Sequence, residues 1–397
     1  MSRDRPIERI LQVHTRYRLA GGEDQVVDAE RELLEAAGVH VRQVIFDNAD
    51  LRESRSLAGD LRLAASAIWS RSAERKVRAA IRADRPEVVH VHNTFPAASP
   101  SVYAAAAGAG VPVVQTLHNY RFICPAATAF RDGRICTDCV GRQVPWPAVV
   151  HACVRGSYPQ SLVAATTIAA HRALGTFRRA IACYVALTAF QRDLMIAGGI
   201  PAERIRVIPN FLEPDPGPGG ERRAGLLYVG RLSAEKGIPL LLQAASRQPG
   251  VDVAGGGPLA HAVEQAHAAG HVSYLGPLEH AAALERVRHA GAMILPSIWF
   301  EGLPLVVLEA FASATPVIAS RIGSLAELIE DGVTGLLVEA NSADALADAV
   351  RWAGEHPREL RAMGVNSRRR YEASYRGGTH LAALREAYEA AASSTRR

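Results

Sequence analysis

Lysine is almost absent from this chain. Of its 397 residues, Lys and Arg together make 45, yet only Lys76 and Lys236 are lysine. Arginine carries nearly all the positive charge, so a position that keeps the compact, mobile ammonium stands out. No run of about 18 apolar residues escapes a charge or a proline, which disfavours a membrane-spanning helix. Met1 to Pro6 are charged and lead straight into a strand-like run, with no apolar signal-peptide core behind them. The expected location is cytoplasmic, with peripheral contact at the inner face of the membrane as an extension. There is no Asp-x-Asp, which disfavours a diphosphate bridged by Mg²⁺. There is no G-x-G-x-x-G either, and Gly21 comes seven positions after His14, too far for the tight turn of a nicotinamide-dinucleotide site.

What remains is ordinary for a globular protein: 48% hydrophobic and 21% charged residues, in a chain long enough for two domains. The net charge is +5. Up to and including Asp215 there are 27 basic and 21 acidic residues, and after it 18 and 19, so the excess (+6 against −1) sits in the first half. Leu51–Arg85 alone holds nine basic and four acidic residues. Such a bias fits a solvated face, an anionic membrane surface or an acidic substrate. No nucleic-acid motif accompanies it, so no nucleic-acid partner is expected.

Apolar runs return at a regular beat. Strands are predicted at Arg9–His14, Val39–Phe46, Val88–His92, Val113–Leu117, Tyr184–Thr188 and Arg206–Ile208. A second set follows at Leu226–Val229, Val251–Val253, Val272–Leu275, Met293–Leu295, Val317–Ala319 and Gly335–Val338. Helical-period stretches such as Gly22–Ala37 and Leu240–Ser246 lie between them. Strands alternating with helices imply parallel βαβ units, and near-continuous Val/Ile/Leu cores imply strands covered on both faces. Glu213–Gly220, EPDPGPGG, is the clearest linker. The expected organisation is α/β: a Rossmann-like domain over 1–212 with a Cys-rich insert at 120–156, a linker over 213–222, a second Rossmann-like domain over 223–374, and a C-terminal helix in 375–397 that crosses back to the first domain. Ligands of such folds bind in the cleft at the carboxyl ends of the strands.

Five stretches carry chemistry. Phe300–Phe311, FEGLPLVVLEAF, holds Glu301 and Glu309 eight positions apart. Gly302 is a permissive backbone and Pro304 a natural first helical residue, so Glu301 belongs in a loop and Glu309 on a helix whose N-terminus offers free N–H groups to a phosphate. Tyr228–Gly237, YVGRLSAEKG, supplies Arg231 and Lys236, two cations flanking a turn, which suits a diphosphate. Leu19–Asp24, LAGGED, offers Gly21 and Gly22 for close backbone approach ahead of a helix. His90, His92 and Asn93 close one strand and His118 and Asn119 the next, at ends that face a cleft; His118 is the sharpest of these candidates. Finally, Cys124, Cys136, Cys139 and Cys153 form C-x11-C-x2-C-x13-C in a segment rich in Pro, Gly and Arg. Four thiolates suit a closed structural zinc site; free thiols or a redox pair are the alternatives.

Taken together, Glu301-x7-Glu309, the G-R-L-x-x-x-K-G run at Gly230–Gly237, LAGGED, HVHN and LHN resemble the family 4 retaining glycosyltransferases, over nearly the whole chain. The Cys-bearing insert resembles a subgroup that makes cell-surface polysaccharides. The resemblance implies the GT-B fold, two Rossmann-like domains facing across a cleft. It implies that Arg231 and Lys236 neutralise the donor diphosphate, that Glu309 holds the ribose, and that Glu301 with the amides of Gly302 and Leu303 holds the donor sugar. The amides of Leu305 and Val306 would add to the phosphate site, Gly22 would approach the diphosphate, and His118 would contact the sugar near the reacting carbon. Pro304 departs from members with an amide-bearing residue there and removes one donor. The implied partners are a nucleotide-sugar donor and a carbohydrate or polyprenyl-linked acceptor, with no cofactor required for catalysis. No residue reads as a nucleophile, so front-face attack assisted by the leaving group accompanies the retaining stereochemistry. A non-catalytic nucleotide-sugar-binding protein and a nucleotide-sugar epimerase of the same fold are the rival readings.

Overall fold

Every strand run read from the sequence forms a strand; the central ones are apolar and covered on both faces, while the edge strands are partly exposed. The computed structural model describes residues 7–17, 21–50, 56–220 and 224–394. Two compact units result. One comprises 1–129, 136–209 and 380–397, the other 130–135 and 210–379.

In the first unit the strands are β1 (Arg9–Arg16), β2 (His40–Asp47), β3 (Val88–Val91), β4 (Val113–Leu117), β5 (Ile181–Ala186) and β6 (Ile205–Val207). They form one parallel sheet in the order β2-β1-β3-β4-β5-β6. All residues of β3 and β4 are buried, as parallel strands between helical layers should be. Helix α1 (Gly22–Ala36) follows β1, and the Asp24 carboxylate caps its start by accepting from the Gly21 amide at 3.2 Å. The second unit has β7 (Leu226–Val229), β8 (Val251–Ala254), β9 (Val272–Gly276), β10 (Ala292–Leu295), β11 (Val317–Ser320) and β12 (Gly335–Val338), ordered β9-β8-β7-β10-β11-β12. All its pairings are parallel. This is the 3-2-1-4-5-6 order of dinucleotide-binding sheets, and the chain reverses direction across the sheet between β7 and β10.

Three expectations need correction. The EPDPGPGG stretch is not a free tether. The division falls at Pro209/Asn210, and the following segment is fastened to the second unit. Asp215 is paired with Arg368 at 2.6 Å and Arg376 at 3.0 Å, and the Gly219 amide donates to the Ser313 carbonyl at 2.9 Å. Proline and glycine removed the periodicity without removing these anchors. Residues 221–223 lie outside the described residues. Pro304 is the residue before the helix α2 (Leu305–Ala312), not its first turn; its ψ of 125° is extended. Within the Cys-rich insert a hairpin pairs Phe130–Arg131 with Arg134–Ile135 around Asp132-Gly133, both at positive φ, and groups with the second unit.

The last helix, α3 (Gly377–Ser394), lies within the stretch 375–397 read from the sequence, and its residues from 380 onward group with the first unit. Leu384, Ala387, Tyr388 and Ala391 of α3 are buried in one cluster with Ile10, Val41 and Val88.

Candidate functional site

In the second unit the two motifs lie on the two loops at the sheet's reversal point. The turn Gly230–Gly237 leaves β7, and 296–304 leaves β10. Gly237 makes their approach possible. At φ +76°, a Cβ on it would stand 1.9 Å from the Pro296 carbonyl oxygen, so no side chain fits. The neighbouring Lys236 ammonium consequently meets both oxygens of Glu301, at 2.8 and 2.9 Å. Ser297 Oγ donates to the same carboxylate at 2.6 Å. Burial, the largest single influence, raises the Glu301 carboxyl, but the Lys236 charge and the bonds from Lys236, Ser297 and Trp299 together outweigh it and hold the group below the usual range. Lys236 also sits 5.2 Å from the centre of the Trp299 ring, a cation–π distance.

The structure therefore joins two residues that the sequence assigned to separate tasks. Lys236 keeps 22% of its side chain exposed while Glu301 keeps 6%, so the ammonium can still reach a ligand and the carboxylate behind it holds it in place. Arg231 is exposed, and its carbonyl accepts from Tyr228 Oη at 2.8 Å. Glu309 lies on α2, buried, and pairs with His280 Nε2 at 2.7 Å. His280 was not singled out in the sequence; it opens the helix after β9, and a lone helical histidine gives no spacing signal. Leu305 and Val306 are the first two residues of α2, where amides have no intrahelical carbonyl to meet, with Gly302 and Leu303 just before them. The loop thus offers a carboxylate, an ammonium and helix-end amides over a few residues, which matches an anionic phosphate flanked by hydroxyls.

In the first unit His92 and His118 follow the ends of β3 and β4 and line a cavity with Asn93, Asn119, Arg121 and Gln115. His118 Nε2 lies 2.9 Å from His92 Nδ1. Burial lowers the pKa of both rings, that of His92 to about 4. Asn93 turns inward, donating to the Thr15 carbonyl and accepting from the Phe95 amide, so it holds the loop rather than a ligand. His90 is fully buried between Thr116 and Tyr388 and does not reach the cavity. Gly21 and Gly22 are exposed at the head of α1, whereas Leu19 and Ala20 lie outside the described residues. Two neighbours escaped sequence reasoning. His14 Nε2 meets Asp24 at 2.7 Å, and Glu23, 11% exposed, is pushed up to about 8, by burial first and then by Asp24 beside it.

None of the four insert cysteines is in a disulfide. Burial pushes the Cys139 thiol up to about 12, and Cys124, Cys153 and Cys136 each add to the shift. No three of the four sulfurs lie within 4.8 Å of one another. Among the described residues, the grouping with donor atoms all within 4.8 Å is Glu30, His90 and His92. Cys139 instead donates to the Pro145 carbonyl at 3.8 Å.

The basic stretch forms helices Leu57–Ile68 and Arg71–Asp84, with 51–55 outside the described residues. Arg71, Arg75, Arg82 and Arg85 are exposed, while Trp69 is engaged by Glu74 at 3.1 Å and stacked on His171. No described helix is long and apolar enough to cross a membrane.

Comparison with known proteins covers both units. Residues 21–210 match the model of the glycosyl transferase 4-like domain, and 217–370 that of the glycosyl transferases group 1. A glycogen synthase of Mycobacterium tuberculosis is 30% identical over 320 residues, spanning 78% of this chain and 70% of that one. Among solved structures, Anabaena HepE in complex with UDP and glucose superposes with a TM-score of 0.65 at 16% identity, covering 96% of this chain and 98% of that one. The lipopolysaccharide outer core galactosyltransferase WaaB gives 0.65 at 17%, covering 96% and 98%. At these identities the two structures show a shared GT-B fold.

Proposed function

Because the chain belongs to the group 1 glycosyltransferases, we propose that it moves a sugar from a nucleoside-diphosphate donor to a carbohydrate or polyprenyl-linked acceptor with retention of configuration, in the making of a surface polysaccharide. The observation that carries the donor half is the Lys236–Glu301 pair beside the start of α2. Breaking a sugar–phosphate bond leaves charge on the diphosphate. Lys236, Arg231 and the amides of Leu305 and Val306 supply fixed positive character where that charge develops, a contribution of about 10²–10³-fold in rate per group. Glu309 accepts from the ribose hydroxyls, exchanging its bond to the exposed His280. Glu301 and the amides of Gly302 and Leu303 hold the sugar, and His118 of the first unit meets one of its hydroxyls. With these cations in place the chemistry proceeds without a metal.

The subgroup likeness of the insert and the similarity to the lipopolysaccharide outer core galactosyltransferase WaaB support the polysaccharide reading. The exposed arginines of 71–85 suit an anionic lipid surface or a pyrophosphate-linked acceptor. A structural zinc drawn in by Cys124, Cys136, Cys139 and Cys153 would close the insert, consistent with the mutual influence of their thiols. The test is transfer from a panel of nucleotide sugars to a polyprenyl-pyrophosphate-linked sugar in the presence of EDTA, with the anomeric proton followed by NMR. A product of inverted configuration, or activity that EDTA abolishes, contradicts the reading.

A further inference from the structure

We propose that Glu30 and His92 are positioning residues that lock His118 in a single tautomer, its Nε2 hydrogen turned inward and its Nδ1 lone pair left to accept from a hydroxyl. The functional half rests on the reading of His118 as the residue that meets the donor sugar.

The lock follows from counting hydrogens in the first unit. Gln12 lies in β1 and is fully buried. Its Oε1 accepts from Gln43 Nε2 at 2.7 Å, which fixes which end of the amide faces inward. Its Nε2 then has two hydrogens and two acceptors, the Val27 carbonyl at 3.3 Å and Glu30 Oε1 at 3.2 Å. None is left for His92 Nε2, which lies 3.2 Å from that nitrogen and 3.3 Å from Glu30 Oε1. A bare His92 Nε2 would set its lone pair against the Glu30 carboxylate oxygen 3.3 Å away, so this nitrogen carries its own hydrogen, turned toward Glu30. A neutral imidazole has one such hydrogen, so His92 Nδ1 is bare and accepts from His118 Nε2 at 2.9 Å. His118 has then spent its hydrogen, and no described residue bonds its Nδ1. The ring lines the cavity and is partly exposed.

Glu30 is built as the fixed end of this relay. It is 2% exposed and receives His90 Nδ1 at 2.9 Å as well as His92 and Gln12, while His380 of α3 stands 3.5 Å from its second oxygen. His90 is braced in turn by Thr116 and Tyr388, each at 2.8 Å. Three histidines and an amide thus converge on one carboxylate. The ligand atoms of Glu30, His90 and His92 lie within 4.8 Å of one another, a spacing that a cation could also use. The outcome is chemical. A neutral His118 with a bare Nδ1 cannot act as an acid; it selects a sugar that presents a hydroxyl there.

The test is long-range ¹H–¹⁵N NMR on the full chain labelled at histidine, with His118 assigned from a His118→Gln variant. The expected result is one protonated nitrogen, Nε2, on each of His118 and His92, with a coupling across the bond between His118 Nε2 and His92 Nδ1. His92→Leu removes the acceptor and should leave His118 a mixture of tautomers; His92→Asn, whose Oδ1 can stand where Nδ1 stood, should restore the single form. A His118 protonated at Nδ1 in the wild type overturns the proposal, even if His92→Leu fails to fold. So does an unchanged single tautomer in a folded His92→Leu, or an equivalent of bound metal that His92→Leu loses. Turnover of UDP-glucose as a probe donor separates the two readings: if His118→Gln leaves it untouched, His118 does not serve the sugar, while the spectra still decide the lock.

Discussion

At the residue scale, Lys236 and Glu301 behave as one group. Replacing Lys236 by Ala leaves a buried carboxylate without its cation and removes positive charge from the proposed diphosphate site. Turnover of a nucleotide sugar should fall about 10²–10³-fold, the scale of one preorganised electrostatic group, and Glu301→Gln should lower turnover while largely sparing binding of the free diphosphate. Steady-state kinetics with calorimetric titration of the diphosphate checks both. Glu23 makes a second prediction. Its folded pKa of about 8 lies above that of the unfolded chain, so between roughly pH 4.5 and 8 the folded state holds more protons. Stability should decline as pH rises through that window, by on the order of a few kcal/mol at most, and Glu23→Gln should flatten the decline in urea midpoints measured at pH 5 to 8. Glu30 acts in the opposite sense. Burial, the largest single influence, raises its carboxyl, but His90, His92 and His380 together outweigh it and hold the group well below its usual range. Its contribution is present above the unfolded pKa and is lost only in acid.

At the element scale, the sequence showed most where a rule acts locally. Buried parallel strands read as Val/Ile/Leu runs, so Val88–His92 and Val113–Leu117 were visible along with the other strands of the two parallel sheets. The turn after β7 was visible because Gly237 has no substitute. Gly237→Ala would press a methyl against the Pro296 carbonyl, and the second unit should lose a few kcal/mol or fail to fold, read by thermal melting. What stayed hidden depends on partners far along the chain. Glu30 looks like a solvated helix face until His90, His92 and His380 are brought to it across some 60 and 350 positions. The 130–135 hairpin has strands too short for any period, and Asp215 looked like part of a tether because its arginines lie about 150 residues away. Helix α3 puts Leu384, Tyr388 and Ala391 into the first unit's core, so deleting 380–397 should unfold that unit cooperatively, seen as loss of its thermal transition. For the insert, one zinc per chain, lost when any of its four cysteines becomes Ser, is the expected elemental analysis.

For the whole molecule, each of the two Rossmann-like units carries one part of the proposed chemistry. The second has cations, a carboxylate pair and helix-end amides at the reversal point of its sheet. The first has neutral histidines at its strand ends and a basic helical face. The chain belongs to the glycosyltransferases, while no motif in the sequence names the base, the sugar or the acceptor. The measurement that goes furthest is calorimetric titration of the intact chain with UDP, GDP, ADP and dTDP and their sugars, with and without EDTA, on wild type and Lys236→Ala. One nucleotide should bind tightly, independently of EDTA, and lose most of its affinity in Lys236→Ala. Binding of none of them, or binding that Lys236→Ala leaves unchanged, would contradict a donor site built on Lys236 and Glu301.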